Sequence, residues 1–188
     1  MTVLLIDVTG SFSKLLPAAV DAAKRTVGRM RGGDCLVVRP IGAQSFGDSQ
    51  LPVVNLPRSS RPIDPVHERR LVALKTQGMN RLEAIRYARP DGRTDIWGAL
   101  YASGQILAGS PDKALVIFSD MEDTEGLQPK GMTLRLNEVI VDVAFVPRRG
   151  TPAAFAKRIR FWQEAFERAG AAQVRFLDSN LLLIEVAR

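Results

Sequence analysis

The sequence predicts an α/β fold: one doubly wound domain over residues 1–188, its sheet mostly parallel and covered by helices. Two observations carry this. Short apolar runs alternate with longer stretches whose apolar residues recur at helical spacing. The runs Val3–Asp7, Lys113–Ser119 and Val139–Val146 are also apolar at nearly every position, as strands buried on both faces of a parallel sheet must be. A third observation concerns function. Two of these runs end on a carboxylate, at Asp7 and Asp120, and the carboxyl ends of strands are where open α/β sheets place their ligands.

The elements follow in chain order. After the first strand, Leu16, Val20, Ala23, Val27 and Met30 form one helical stripe. Ser13 is its expected N-cap, Pro17 falls near the first turn where a missing N–H costs least, and Gly32-Gly33 ends it. Cys35–Ile41 is a second strand. Residues 42–50 form a loop, and Leu51–Leu56 is a short strand whose flanking prolines, Pro52 and Pro57, favour an edge position. A polar helical region runs from Pro65 to Ala88 and is expected to divide at Gly78 and Asn80. Arg89-Pro90-Asp91-Gly92-Arg93 is a turn, and a helix carrying Ile96, Leu100, Ser103, Gly104 and Leu107 follows Thr94. Residues 121–136 are mixed, with room for one short helix. Pro152–Ala169 is an amphipathic helix carrying Phe155, Ile159, Trp162 and Phe166. Val174–Leu177 is a last strand, and Leu181–Val186 fits either a strand or a short helix capped by Ser179.

Composition narrows the class. With 188 residues, 46% of them hydrophobic, the chain can bury a full core. Its one cysteine, Cys35, allows no intrachain disulfide and reads as a small buried hydrophobe. No basic leader or bilayer-length apolar segment is present, so a cytoplasmic location without membrane association is the default expectation. The single histidine, His67, has no companions for a zinc site. The formal charge of +6 and pI near 10.0 permit an acidic protein, nucleic acid or anionic lipid as partner. Much of the excess lies between Arg58 and Arg93, where Tyr87 is the only aromatic residue. That region is either a solvated helix face or an anion-binding one.

Three polar clusters sit at strand ends or in the loops beyond them: Asp7-x-Thr9-x-Ser11, Thr94 within Gly92-Arg93-Thr94-Asp95-Ile96, and Asp120 within Phe118-Ser119-Asp120. The strands beginning at residues 3 and 113 would be neighbours at the switch in strand order, bringing the clusters together. In this order and setting the motifs resemble those of the von Willebrand factor type A domain with its metal-ion-dependent adhesion site. That family has Asp-x-Ser-x-Ser after its first strand, a Thr in a later loop and an Asp after its fourth strand. Thr9 stands here for the commoner Ser, and Ser119-Asp120-Met121 for the usual Thr-Asp-Gly.

The resemblance implies a Rossmann-like sheet with one antiparallel edge strand and helices on both faces. It also implies a Mg²⁺ or Mn²⁺ site built from Asp7, Thr9, Ser11, Thr94 and Asp120, with the hydroxyls ligating directly and the two carboxylates directly or through water. Neutral oxygens leave much of the cation's charge uncompensated, so an open position would attract an Asp or Glu carboxylate from a protein partner. No nucleophile backed by a base is evident. Two other readings compete. A metal-dependent nuclease of the PIN type would use Asp7, Glu83, Asp95 and Asp120, with the basic region holding phosphates, but would leave the hydroxyls at 9, 11 and 94 unexplained. An RNA-associated scaffold rests on charge alone. A phosphotransferase of the haloacid dehalogenase type needs a second carboxylate where Thr9 stands. The plainer readings are Asp7 as a loop cap, Thr94 as an N-cap, Asp95, Glu122 and Asp123 as surface or first-turn acids, and Trp97 and Trp162 as core.

Overall fold

In the computed structural model, residues 1–46, 53–59, 64–90, 92–124, 131–146 and 151–177 are described. They contain six strands and four helices: β1 (Thr2–Asp7), α1 (Leu16–Arg29), β2 (Cys35–Ile41), β3 (Val53–Asn55), α2 (Pro65–Ile85), α3 (Ile96–Leu107), β4 (Ala114–Phe118), β5 (Ile140–Ala144), α4 (Pro152–Arg168) and β6 (Gln173–Leu177). The sheet runs β3-β2-β1-β4-β5-β6. All pairs are parallel except β2–β3, so the antiparallel strand lies at the edge as expected.

The alternation of side chains divides the core into two layers. Val3, Leu5, Leu115, Ile117, Val141 and Val143 face α3 and α4, meeting Leu100, Trp97, Trp162 and Phe166. Leu4, Ile6, Leu36, Val38, Val116 and Phe118 face α1 and α2, meeting Val20, Ala23, Val27 and Leu82. Both faces of β1 and β4 are therefore covered, which is why β4 is apolar throughout and β1 is apolar from Val3 to Ile6. The chain leaves β1 toward one layer and enters β4 from the other. The strand order reverses between these two strands, and their carboxyl ends open a crevice there.

Four local expectations change. Ser13 does not cap α1: the cap position is Leu15, with no side-chain hydrogen bond, and Ser13 Oγ donates to Gly10 O at 2.8 Å within the preceding turn. Nor does α2 divide at Gly78 and Asn80. Gly78 is buried against β3, where a Cβ would collide with the Val54 side chain; the glycine lets a continuous helix approach the edge strand closely. Thr94 does not cap α3, because Asp95 does. Residues 121–124 and 131–136 form no helix; residues 125–130 lie outside the described residues. The segment 131–139 is irregular and pressed against α3: Tyr101 Oη donates to Met132 O at 2.6 Å, and a Cβ on Gly104 would stand 2.7 Å from Arg135 O. Residues 51 and 52 of the expected edge strand and the Leu181–Val186 segment are likewise outside the described residues. No helix among the described residues is long and apolar enough to cross a membrane.

Candidate metal centre

β1 delivers Asp7 to the crevice with no solvent exposure at all. A buried carboxylate must find donors, and the next residues supply them. Asp7 Oδ1 accepts from Thr9 N at 2.9 Å and from Thr9 Oγ1 at 2.6 Å, a local turn closed by the side chain. Thr9 Oγ1 lies 3.3 Å from Ser11 Oγ, so the Asp-x-Thr-x-Ser spacing places a carboxylate and two hydroxyls in one row. Thr9 is buried and Ser11 exposed, so the row runs outward from the interior. Phe12 anchors the far side of this loop, packing edge-to-face on Phe145 just beyond β5.

The register Ile6↔Phe118 sets Ser119 opposite Asp7. Ser119 Oγ donates to Asp7 Oδ2 at 2.7 Å and accepts from Met121 N at 2.9 Å. The fully buried Asp120 accepts from Glu122 N at 3.1 Å through Oδ1. Between them Met121 has φ +59°, the left-handed region that a bulky residue rarely enters. Two contacts hold it there. Its side chain is buried in the α3/α4 layer, and its carbonyl accepts from Trp162 Nε1 at 3.0 Å. Burial raises the Asp7 carboxyl above its ordinary range. The hydrogen bonds from Thr9 and Ser119 oppose this, and the charge of Asp120 adds to it.

The third loop is tied to the second. Thr94 N donates to Thr124 Oγ1 at 2.7 Å, and Thr124 N donates to Thr94 O at 3.1 Å. Thr94 itself is 2% exposed. Asp95 organises the loop behind it. Its Oδ1 accepts from Gly98 N at 2.7 Å as the N-cap of α3, and its Oδ2 accepts from Ser45 N at 3.0 Å in the loop after β2.

Asp7, Thr9, Ser11 and, through Ser119, the Asp120 segment thus form one hydrogen-bonded cluster, with the Thr94 loop joined at Thr124. The four acids of the nuclease reading do not assemble. Glu83 is on the outer helix pair, bonded to Lys24 of α1 at 3.0 Å and to Arg86 at 2.8 Å; the Lys24 hydrogen bond is the main cause of its lowered pKa. Asp95 is committed to two backbone amides. Among the described residues, no group of three or more His, Cys, Asp and Glu side chains is placed to hold a metal. Any cation here would depend on hydroxyl donors as well. Two carboxylates and three hydroxyls, all oxygen, suit a hard divalent cation. In the basic region, Arg69, Arg70, Arg81 and Arg89 are exposed, while Arg86 pairs with Asp21 and Glu83 and Lys75 donates to Gly28 O.

Three residues here were given no role in the site from sequence. Ser119 links the Asp7 carboxylate to the backbone amide of Met121, Thr124 joins two loops, and Trp162 holds the Met121 carbonyl. Only Ser119, inside the Ser-Asp pair after an apolar run, carried a local signal.

The sheet order and the antiparallel edge strand match the fold of von Willebrand factor type A domains. Among solved structures the chain is similar to the von Willebrand factor type A protein from Catenulispora acidiphila, with a TM-score of 0.57 at 18% identity over 94% of this chain and 38% of that one. A weaker likeness, TM-score 0.44 at 14% identity, covers 66% of this chain and 15% of the SpaC pilus adhesin from Lactobacillus rhamnosus GG in its open conformation. The chain therefore spans well under half the length of either structure. No protein-family model and no curated protein matches it. At 18% identity the first of these likenesses speaks for the fold.

Proposed function

We propose that the chain is a metal-dependent protein-interaction module. Mg²⁺ or Mn²⁺ would be held by Ser11, Thr9 and Thr94 as neutral donors, with Asp7 and Asp120 acting directly or through water. A partner's Asp or Glu carboxylate would complete the coordination, since a cation with few charged ligands keeps a strong field at its open position. The observation that carries this reading is the row Asp7–Thr9–Ser11. A fully buried carboxylate bonds Thr9, whose hydroxyl in turn lies within hydrogen-bond reach of Ser11, and Ser119 ties the carboxylate to the Asp120 strand end. A second buried acid beside Asp7 favours a cation, because one positive ion relieves the repulsion between two carboxylates. The chain's own residues orient the donors, exclude water from Asp7 and leave Ser11 open to an incoming group. A cytoplasmic setting belongs to the same proposal.

Calorimetric titration with Mg²⁺ and Mn²⁺ tests it. The wild type should give a saturable binding heat and Asp7→Ala none. Equal heats from the two proteins would reject the reading.

A further inference from the structure

The Asp120 loop closes a local turn through Glu122 N, and helix α4 holds it from behind. Trp162 Nε1 donates to the Met121 carbonyl at 3.0 Å in a fully buried setting. One turn earlier, Arg158 pairs with Glu122, whose backbone amide donates to Asp120 Oδ1. Both contacts bracket a peptide in the left-handed region at Met121. Trp162 also packs on Trp97 with centroids 5.1 Å apart, and Trp97 lies three residues beyond Thr94. One indole therefore backs two of the three ligand loops.

We infer that Trp162 is a positioning residue for the cation site, with Arg158 as its auxiliary. Its N–H holds the Met121 peptide left-handed so that the Asp120 carboxylate stays turned into the crevice. The inference rests on the metal reading above. A non-glycine residue in this conformation relaxes toward ordinary backbone angles unless its surroundings prevent it. Loss of the indole donor should then move Asp120 while leaving the Asp7–Thr9–Ser11 row intact.

The test compares Mg²⁺ affinity in wild type, Trp162→Phe, Arg158→Met and Phe161→Leu, with circular dichroism to confirm folding. Trp162→Phe should weaken Mg²⁺ binding about tenfold, the low end of the range seen when groups supporting metal ligands are removed, and Arg158→Met by a smaller but measurable factor. Phe161→Leu, which trims a ring packed on both Trp97 and Trp162 but leaves the indole N–H in place, should leave affinity unchanged. Adding Met121→Gly to Trp162→Phe should recover most of the loss, because glycine enters the left-handed region freely; a defect of packing alone would worsen. In chelator, amide exchange at Met121 and Glu122 should speed up in Trp162→Phe. If the wild type binds Mg²⁺ and Trp162→Phe binds it equally well, this inference falls and the metal reading stands. If the wild type binds no divalent cation, the metal reading falls and takes the inference with it. Should Trp162→Phe fail to fold, unchanged affinity in Arg158→Met overturns the proposal.

Discussion

The loops after β1 and β4 carry the two carboxylates of the site, and they differ in how much of their support is local. The first is closed mainly by its own residues. Asp7 Oδ1 is satisfied by Thr9 two residues away, and Ser11 follows two residues later in the same turn. The second closes local turns too, from Met121 N to Ser119 Oγ and from Glu122 N to Asp120 Oδ1, but it also leans on distant elements. Its Ser119 reaches 112 positions back to Asp7, and its Met121 carbonyl depends on an indole 41 positions further on. The first loop draws its conformation from local hydrogen bonds that any chain with this spacing can make. The second keeps a left-handed methionine only because a packed helix leaves it no alternative. The first loop is therefore closer to a property of a short motif, while the second depends more on the core.

The sharpest way to break this contrast is Trp162→Ala. Removing a fully buried indole should cost about 3–5 kcal/mol in urea unfolding, from lost burial and the cavity left behind. The loss should be accompanied by disorder at residues 120–122, with the Asp7 turn intact, as read from backbone amide shifts. Equal disturbance of both loops would show that they are not built differently.

The same division explains what could be read from the sequence. The strand order around β1 and β4 and both carboxylates at strand ends were legible, because continuous apolar runs and periodic helices report burial directly. The Asp7-x-Thr9-x-Ser11 row was legible for the same local reason. Met121 was not. Its place in the usual glycine position signals misfit when read alone, and only the tertiary contacts with Trp162 and the surrounding layer resolve it. Gly78 misled in the opposite sense. A glycine inside a helical pattern predicts a break, yet here it marks a close approach of helix to strand. Glu83 and Asp95 stood beside Asp7 only in the nuclease reading, and the fold separates them: Glu83 is ion-paired on the outer helices, Asp95 caps α3, and Asp7 is fully buried at its strand end.

A smaller effect, of opposite sign, should come from Asp7→Asn. Burial holds the folded-state pKa of Asp7 above its ordinary value near 3.8, so ionising it costs the folded protein free energy. The sign follows from linkage. The stability conferred by the protonated carboxyl is complete below the unfolded value and is lost as pH rises through the raised folded one. In chelator, Asp7→Asn should therefore gain on wild type across that window and be the more stable of the two at neutral pH. Saturating Mg²⁺ should reverse the order, because only the ionised carboxylate rewards a cation. Urea midpoints at several pH values, with and without Mg²⁺, decide the matter. A less stable Asp7→Asn in chelator at neutral pH would mean that the hydrogen bonds from Thr9 and Ser119 outweigh desolvation.

The smallest expected effect probes the loop after β1 at its exit. Ser13 has the sequence position of a helix cap but bonds back to Gly10 O at an exposed site, while Thr151 accepts from Ala154 N as the N-cap of α4. Ser13→Ala should change stability by less than about 0.5 kcal/mol, the range of surface substitutions that remove no structural feature. Thr151→Ala should cost about 1 kcal/mol, the usual loss when a capping hydroxyl is deleted. The pair makes a calibrated test, because both changes remove one exposed hydroxyl near a helix start and differ only in whether a backbone amide loses its acceptor. Equal losses would show that Ser13 contributes to the start of α1 after all. The loop after β1 would then depend on its helix much as the loop after β4 depends on α4.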